Sequence, residues 1–131
     1  MNVKEYRREG IFFVITGPSG AGKTTIMETV LGSDNRLSYS VSHTTREKRK
    51  GESDGEDYHF IGVNEFKKMK QSGEFVEWAE IYGDYYGTSK AEIDRIEENG
   101  RDPFLDIDVQ GAAQIRNNPE VSAVFLFIAP P

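Results

Sequence analysis

The chain has 131 residues, a net charge of −6, a pI near 5.0 and no cysteine. This length suits one domain, residues 1–131, and an acidic chain lacks the broad basic surface that binding to nucleic acid requires. Without cysteine it forms neither disulfides nor thiolate metal sites. Residues 1–9 are charged and no stretch reaches membrane-spanning length, so we expect a cytoplasmic protein with no nucleic-acid or membrane partner.

The first patterned segment is a loop between a strand and a helix. Residues 11–15 are continuously apolar, which predicts a strand buried in a parallel sheet. Residues 17–24, GPSGAGKT, then match G-x-x-x-x-G-K-[ST], in which glycines let successive backbone N–H groups turn toward one anion. In residues 25–31 apolar side chains recur four apart, which predicts a helix that ends at Gly32. The apolar positions are Ile26, Met27, Val30 and Leu31.

This loop predicts a site for the phosphates of a nucleotide, with Mg²⁺. Lys23 is expected to reach the β- and γ-phosphates, and the Thr24 hydroxyl to bind Mg²⁺ directly. The predicted contacts to the nucleotide phosphates are Gly17, Pro18, Ser19, Gly20, Ala21, Gly22, Lys23, Thr24 and Thr25. The alternative is a glycine-rich turn that only connects two elements, but the flanking strand and helix favour the nucleotide site.

Smaller elements follow. Strands are predicted at residues 39–45, 58–61, 74–81 and 85–87, a polar loop at 46–57 and a helix at 64–72. Ser89 and Glu92 have the spacing of a capping box, which predicts a helix that carries Ile93 and Ile96 inward and stops near Gly100. The pattern of a large sheet then returns as a strand at 104–108, a helix near 112–116 and a strand at 123–128.

Seven motifs in this order resemble the guanylate kinase family and cover nearly the whole chain from Ile11. They are GPSGAGKT at 17–24, SVSHTTR at 40–46, GEDYHF at 55–60, EW at 77–78, YYGT at 85–88, DIDVQG at 106–111 and FIAPP at 127–131. The resemblance implies transfer of the γ-phosphoryl group of ATP to GMP with Mg²⁺. It implies an α/β fold: a parallel-sheet core with helices on both faces, at 1–45 and 101–131, and a small mixed GMP-binding region at 46–100.

The family continues past the last motif into a lid that carries arginines and into a final strand and helix. We therefore expect this chain to be a piece of a longer enzyme, nearly inactive by itself because the lid arginines are missing. We also expect strand 123–128 to pair with the first strand on one side and to promote self-association through its open edge on the other.

The resemblance gives four residues to the GMP phosphate. Arg46 and Arg49 offer planar forks that suit bidentate phosphate contacts, and Tyr58 and Tyr86 offer hydroxyl donors. A solvated basic run at 46–50 is the alternative that composition alone leaves open.

The guanine base would be read by a carboxylate. Guanine presents N1–H and N2–H₂ side by side, and adenine does not, so one carboxylate that accepts both selects guanine. Glu77 resembles the family residue with this task, and Ser42 and Thr88 match positions that contact the guanine carbonyl. An isolated glutamate on a strand would otherwise be taken as a surface residue.

Asp106 and Asp108 follow a predicted strand that should lie near the first one, at the edge where open α/β sheets bind ligands. By resemblance they orient the water shell of Mg²⁺ and the GMP side of the cleft, with the division of labour left open. Lys23, Arg46 and Asp106 are the predicted catalytic residues, and Asp108 is a predicted GMP contact.

Two other functions are compatible with parts of the sequence. Residues 108–111 also match the D-x-x-G of GTPases, but the chain has no N-K-x-D. A protein-interaction module of the guanylate kinase type, or a fragment that binds GMP with impaired catalysis, is the alternative to an enzyme; intact Lys23 and Thr24 favour the enzyme. Four aromatic residues near the predicted site are expected to be packing residues: Phe75, Trp78, Tyr82 and Tyr85. The two histidines, His43 and His59, are expected to be structural or solvated.

Overall fold

The computed structural model describes residues 10–18 and 22–129. Ser19, Gly20 and Ala21 of the predicted ATP site and the prolines of the last motif lie outside them. The described strands are β1 Ile11–Thr16, β2 Leu37–Tyr39, β3 His43–Thr44, β4 His59–Phe60, β5 Phe75–Ile81, β6 Asp84–Ser89, β7 Asp102–Asp106 and β8 Ser122–Phe127. The described helices are α1 Lys23–Ser33, α2 Val63–Gln71, α3 Lys90–Glu98 and α4 Val109–Arg116.

The first sheet is parallel, with the strand order β2-β7-β1-β8. Side chains alternate across β1, so Phe12 and Val14 face one side and Ile15 faces the other. Residues of α3 and α4 pack on the first side, and residues of α1 pack on the second. The predicted α/β class and the pairing of the last strand with the first are confirmed.

The second sheet is mixed, with the order β4-β3-β6-β5. Helix α2 covers it through Phe66, which is fully buried and stacks on Phe75 and Tyr85 at ring-centroid distances of 4.5 and 5.3 Å. The predicted packing roles of Phe75 and Tyr85 agree with these contacts.

The single strand predicted at residues 39–45 is wrong, because the chain crosses from one sheet to the other there. The N–H of Ser40 donates to the carbonyl of Phe104 in the first sheet at 2.9 Å. The carbonyl of Ser42 accepts from the N–H of His59 in the second sheet at 2.8 Å. Two short strands, β2 and β3, therefore replace the predicted one.

Other differences lie at the ends of elements. Helix α1 runs through Gly32 to Ser33, and Ile26 is exposed, so its predicted stripe is only partly buried. Strand β7 ends at Asp106, two residues early, and this frees Asp108 to begin α4. Tyr82 is not a packing residue: it stands fully exposed in the turn between β5 and β6, at a φ of 51°. Among residues 10–18 and 22–129, no helix has both the length and the apolar character of a membrane span.

Candidate active site

An open cleft of about 290 Å³ lies between the two sheets and gathers most of the predicted site residues. It is lined by Gly17, Lys23, Ser42, Arg46, Arg49, Tyr58, Glu77, Ile81, Tyr86, Gly87, Asp106, Ile107 and Asp108. Thr24 and Thr25 lie beside it, exposed in the first turn of α1. The cleft opens where β1 and β7 end, as expected for a parallel sheet.

The described part of the phosphate loop needs glycine for a steric reason. Gly17 follows β1 with a φ of 156°, and a Cβ there would lie 2.6 Å from the carbonyl oxygen of Ile128, next to the end of β8. Gly22 precedes α1 in the left-handed conformation, at a φ of 84°. A residue with a Cβ would therefore be strained at either position, and glycine is not.

Lys23 bridges the loop and the end of β7. Its Nζ lies 2.9 Å from Asp106 Oδ1 and donates to the carbonyl of Gly17 at 3.1 Å. Asp106 is opposite Ile15 in the ladder, so the ion pair joins the start of α1 to the end of the strand beside β1. A cation and an oxygen ligand therefore stand together at the carboxyl edge of the sheet.

Arg46 is held in a defined orientation by Glu52. Its Nη1 and Nη2 donate to the two carboxylate oxygens at 2.9 and 2.8 Å, and its guanidinium carbon lies 5.2 Å from the centroid of the Tyr58 ring. The Arg46 fork and, second to it, the backbone N–H of Arg49, which donates at 2.7 Å, together lower the pKa of Glu52 to about 2. Sequence reasoning missed Glu52, since nothing in the loop's composition distinguishes it from the neighbouring acids.

Two tyrosines lie beside this arginine. The rings of Tyr58 and Tyr86 pack edge to face with centroids 5.9 Å apart. Burial raises the pKa of Tyr58, and the charge of Asp106 raises it further, so its hydroxyl remains protonated as a donor. Arg46, Tyr58 and Tyr86 thus form one donor surface on the cleft wall.

Glu77 is a buried carboxylate that opens onto the cleft. Its side chain is 3% exposed, and Oε2 accepts from the N–H of Thr88, directly across the β5–β6 pair, at 3.2 Å. The Thr88 hydroxyl is buried and, within the described residues, has no hydrogen-bond partner. Thr88 therefore lies behind Glu77 instead of on the cleft surface.

Burial raises the pKa of Glu77 to about 7; the charge of Asp108 adds to the rise and the Thr88 N–H opposes it. The first turn of α4 lies against this carboxylate. Asp108 caps that turn, since its Oδ1 accepts from the N–H of Gly111 at 3.0 Å. A Cβ on Gly111 would collide with Glu77 Oε1. The buried acid thus lies between Thr88 and a helix N-terminus.

A bulge that the sequence did not reveal precedes Glu77. The β5–β6 register shifts between Phe75 and Glu77, so Val76 is the additional residue and packs against the core of the first sheet. Bulges re-aim the neighbouring side chains. Here Phe75 packs on α2 while Glu77 faces the cleft.

Comparisons with known proteins agree with this geometry. A family model described as "Guanylate kinase" matches residues 10–131. The chain is 46% identical over 125 residues to the guanylate kinase of Geobacter metallireducens and 48% identical over 118 residues to that of Thiobacillus denitrificans. These matches cover 95% and 89% of this chain but 61% and 56% of the relatives.

A solved structure shows the same likeness. The crystal structure of guanylate kinase from Anaplasma phagocytophilum matches with a TM-score of 0.76 and 34% identity. The match covers 93% of this chain and 61% of that one. The described chain thus spans somewhat more than half the length of the relatives that it matches.

Proposed function

Because the chain belongs to the guanylate kinase family, we propose that it carries the ATP phosphate site and the GMP site of an enzyme that phosphorylates GMP. The observation that carries this proposal is the buried Glu77 carboxylate in one cleft with the donor surface of Arg46, Tyr58 and Tyr86. A purine nucleoside monophosphate has a matching pair of groups, two adjacent base donors and a phosphate. Residues 46–100 would form the GMP-binding region, and the other residues would form the core. Strand β3 precedes residue 46 but belongs to the sheet of the GMP-binding region.

At the other end of the cleft, the phosphate loop would bind ATP. The free N–H groups at the start of α1 and the Lys23 ammonium favour an anion there. In the structure Lys23 pairs with Asp106, and the ATP phosphates would take over part of that pairing. Lys23 lines the same cleft as Arg46, Tyr58 and Tyr86, which suits a residue that would neutralise charge during transfer.

Mg²⁺ is the cofactor that we propose, and the donor set fits it. Thr24 and Asp106 supply hydroxyl and carboxylate oxygens, which this ion prefers. Within the described residues, no group of three or more His, Cys, Asp or Glu side chains could hold a metal ion. Such a site suits an ion that arrives with the nucleotide phosphates and keeps several waters, with Thr24 as a direct ligand and Asp106 acting through water. When bound, Mg²⁺ neutralises charge on the β- and γ-phosphates.

Phosphoryl transfer requires positioning and neutralisation from the protein. An oxygen of the GMP phosphate attacks the γ-phosphorus, the bond from that phosphorus to the bridging oxygen breaks, and ADP leaves. Arg46 and Arg49 would hold the attacking phosphate, Tyr58 and Tyr86 would donate to it, and Lys23 would stabilise the transferring group. Ser42 and Asp108, which line the cleft, would complete the guanine contacts beside Glu77. Thr88, which we predicted as a third contact, would support Glu77 from behind through its N–H.

The experiment that tests the proposal is calorimetry with GMP and AMP on this chain. Loss of a buried polar partner costs about 1–3 kcal/mol, so GMP should bind about ten- to a hundredfold more tightly than AMP. Equal affinities, or a Glu77→Ala variant that binds GMP like the wild type, would contradict the GMP site. In a protein of full family length, Lys23→Ala should abolish transfer while GMP affinity survives.

Two further parts of the proposal concern the surroundings of the protein. We propose a cytoplasmic location, which the absence of cysteine supports because cytosolic proteins keep their thiols reduced and need no disulfides. We also propose that the 131-residue chain self-associates through β8, which in the described residues pairs with β1 alone and exposes Val124 and Phe127. Sedimentation at several concentrations tests this, with Phe127→Lys as the variant that should remain a monomer.

A further inference from the structure

Two glutamines of α4 hold the outer edge of β5. The side-chain amide of Gln114 contacts both backbone groups of Trp78: Nε2 donates to the carbonyl at 2.6 Å, and Oε1 accepts from the N–H at 3.1 Å. One turn earlier, Gln110 Nε2 donates to the carbonyl of Glu80 at 3.2 Å. In the described part of the chain β5 pairs only with β6, so these amides take the place of a further strand.

The same helix also lies against the buried carboxylate next to this edge. Glu77 precedes Trp78, and its Oε1 packs on Gly111 in the first turn of α4. The second turn then fixes the backbone of Trp78 through Gln114. Helix α4 therefore constrains both the carboxylate of Glu77 and the backbone next to Glu77.

We propose that Gln114 is a positioning residue that sets the Glu77 carboxylate for the guanine edge. The inference rests on the proposed GMP site. A carboxylate that accepts two adjacent donors must lie in the plane of the base, because hydrogen bonds weaken steeply as their angles fall. Gln114 is exposed and lies outside the cleft, so it acts on the base only through the strand.

The experiment compares GMP with IMP, which lacks the N2 amino group but has the same phosphate and keeps N1–H. The ratio of the GMP affinity to the IMP affinity measures the alignment of Glu77. A general weakening of the site lowers both affinities and leaves this ratio unchanged. In Gln114→Leu the ratio should fall about three- to tenfold, the loss expected for a pair of modest hydrogen bonds. Gln71→Leu, which replaces an exposed glutamine at the end of α2, is the matched control and should leave the ratio unchanged.

A double-mutant cycle separates positioning from general damage. In a Glu77→Gln background, Gln114→Leu should leave the GMP:IMP ratio where Glu77→Gln alone put it, since the residue acts through that carboxylate. Trp78 is the only tryptophan in the sequence, so its emission reports release of the strand in the same samples. The single variant should shift this emission, and the control should not.

A second variant covers the case in which the leucine variant fails to fold. Gln114→Glu keeps an acceptor for the Trp78 N–H but has no donor for the Trp78 carbonyl, and it should lower the ratio in the same direction. An unchanged ratio in whichever variant folds, or an equal fall in the presence and absence of Glu77, would overturn the inference. Failure of the GMP site itself is read separately, as equal binding of GMP and AMP by the wild type.

Discussion

Lys23, at the start of α1, and Asp106, at the end of β7, form an ion pair with Nζ 2.9 Å from Oδ1. Both side chains are largely shielded, with 17% and 25% of their surface exposed. In the proposed ATP site, an incoming triphosphate would compete with this carboxylate for the Lys23 ammonium. In the structure, the pair keeps a partly buried cation compensated.

Asp106→Asn should separate two proposed roles of Asp106, its competition with ATP for Lys23 and its contact with Mg²⁺ through water. Without Mg²⁺, ATP should bind about three- to tenfold more tightly than to the wild type, because a competing acceptor and a negative charge are gone. With Mg²⁺ in a protein of full family length, turnover should fall at least about tenfold. Calorimetry with and without EDTA measures the first effect. Asp94→Asn, which removes an equal charge from the exposed face of α3, should change neither quantity.

Glu77 should make the protein less stable as the pH rises toward neutrality. Its pKa rises from 4.5 to about 7 on folding, chiefly through burial. Between these values the native state holds a proton that the unfolded state has lost, so the free energy of unfolding falls as the pH rises, by up to about 3 kcal/mol. Urea unfolding of the wild type and Glu77→Gln from pH 5 to 8 measures this. The Gln variant should gain relative stability with pH; parallel curves would contradict the assignment.

The same group should make base recognition depend on pH. Only the ionised carboxylate accepts from both guanine donors, so affinity should rise with pH up to about 7 and then level off. Guanosine is the appropriate ligand, because it has no phosphate that titrates near pH 6. Adenosine binding should show no such rise, and guanosine affinity that is flat from pH 5.5 to 7.5 would refute the prediction.

Gly111→Ala should impair guanine binding while it favours the helix. Alanine stabilises a helix interior by about 1 kcal/mol relative to glycine. Its Cβ, however, would occupy the position of Glu77 Oε1, so the carboxylate must move away from the first turn of α4. We expect GMP affinity to drop about tenfold or more with an unchanged far-UV spectrum. Gly62→Ala, at a position open to solvent, is the control that should leave affinity unaltered.

Sequence patterns predicted the parallel core and most of the cleft because those features depend on local signals. The glycine loop requires a strand before it and a helix after it, and Asp106 and Asp108 follow a strand end that must meet the loop. The break at residues 40–42, the bulge at Val76 and the Gln114 contact to Trp78 depend on partners far away in the chain. No local pattern encodes those partners.

The capping box of α3 has one local contact and one distant contact. Ser89 does cap α3, accepting from the N–H of Glu92 at 3.1 Å. The Glu92 carboxylate, however, accepts from the distant N–H of Val41 at 2.7 Å. The local half of the motif was predictable, and the half that joins α3 to the crossing between the sheets was not.

Arg46→Lys should reduce recognition of the GMP phosphate without touching that of the base. The guanidinium makes two parallel bonds to Glu52 through Nη1 and Nη2 at 2.9 and 2.8 Å. Because it has five N–H donors, its Nε edge offers a second fork that suits two phosphate oxygens. Lysine keeps the charge but offers a single ammonium, so one charge-assisted bond worth about 1.5–3 kcal/mol is lost. GMP affinity should therefore fall about ten- to a hundredfold in calorimetry, and guanosine affinity should stay the same.

A matched control exists outside the cleft. Arg36 makes a comparable fork to Asp34, through Nε at 3.1 Å and Nη2 at 2.9 Å. Arg36→Lys removes the same group from an exposed loop and should alter neither affinity. If Arg46→Lys weakened guanosine as much as GMP, the arginine would be supporting the loop instead of binding the phosphate. Equal losses in the two lysine variants would point to a general effect of the substitution.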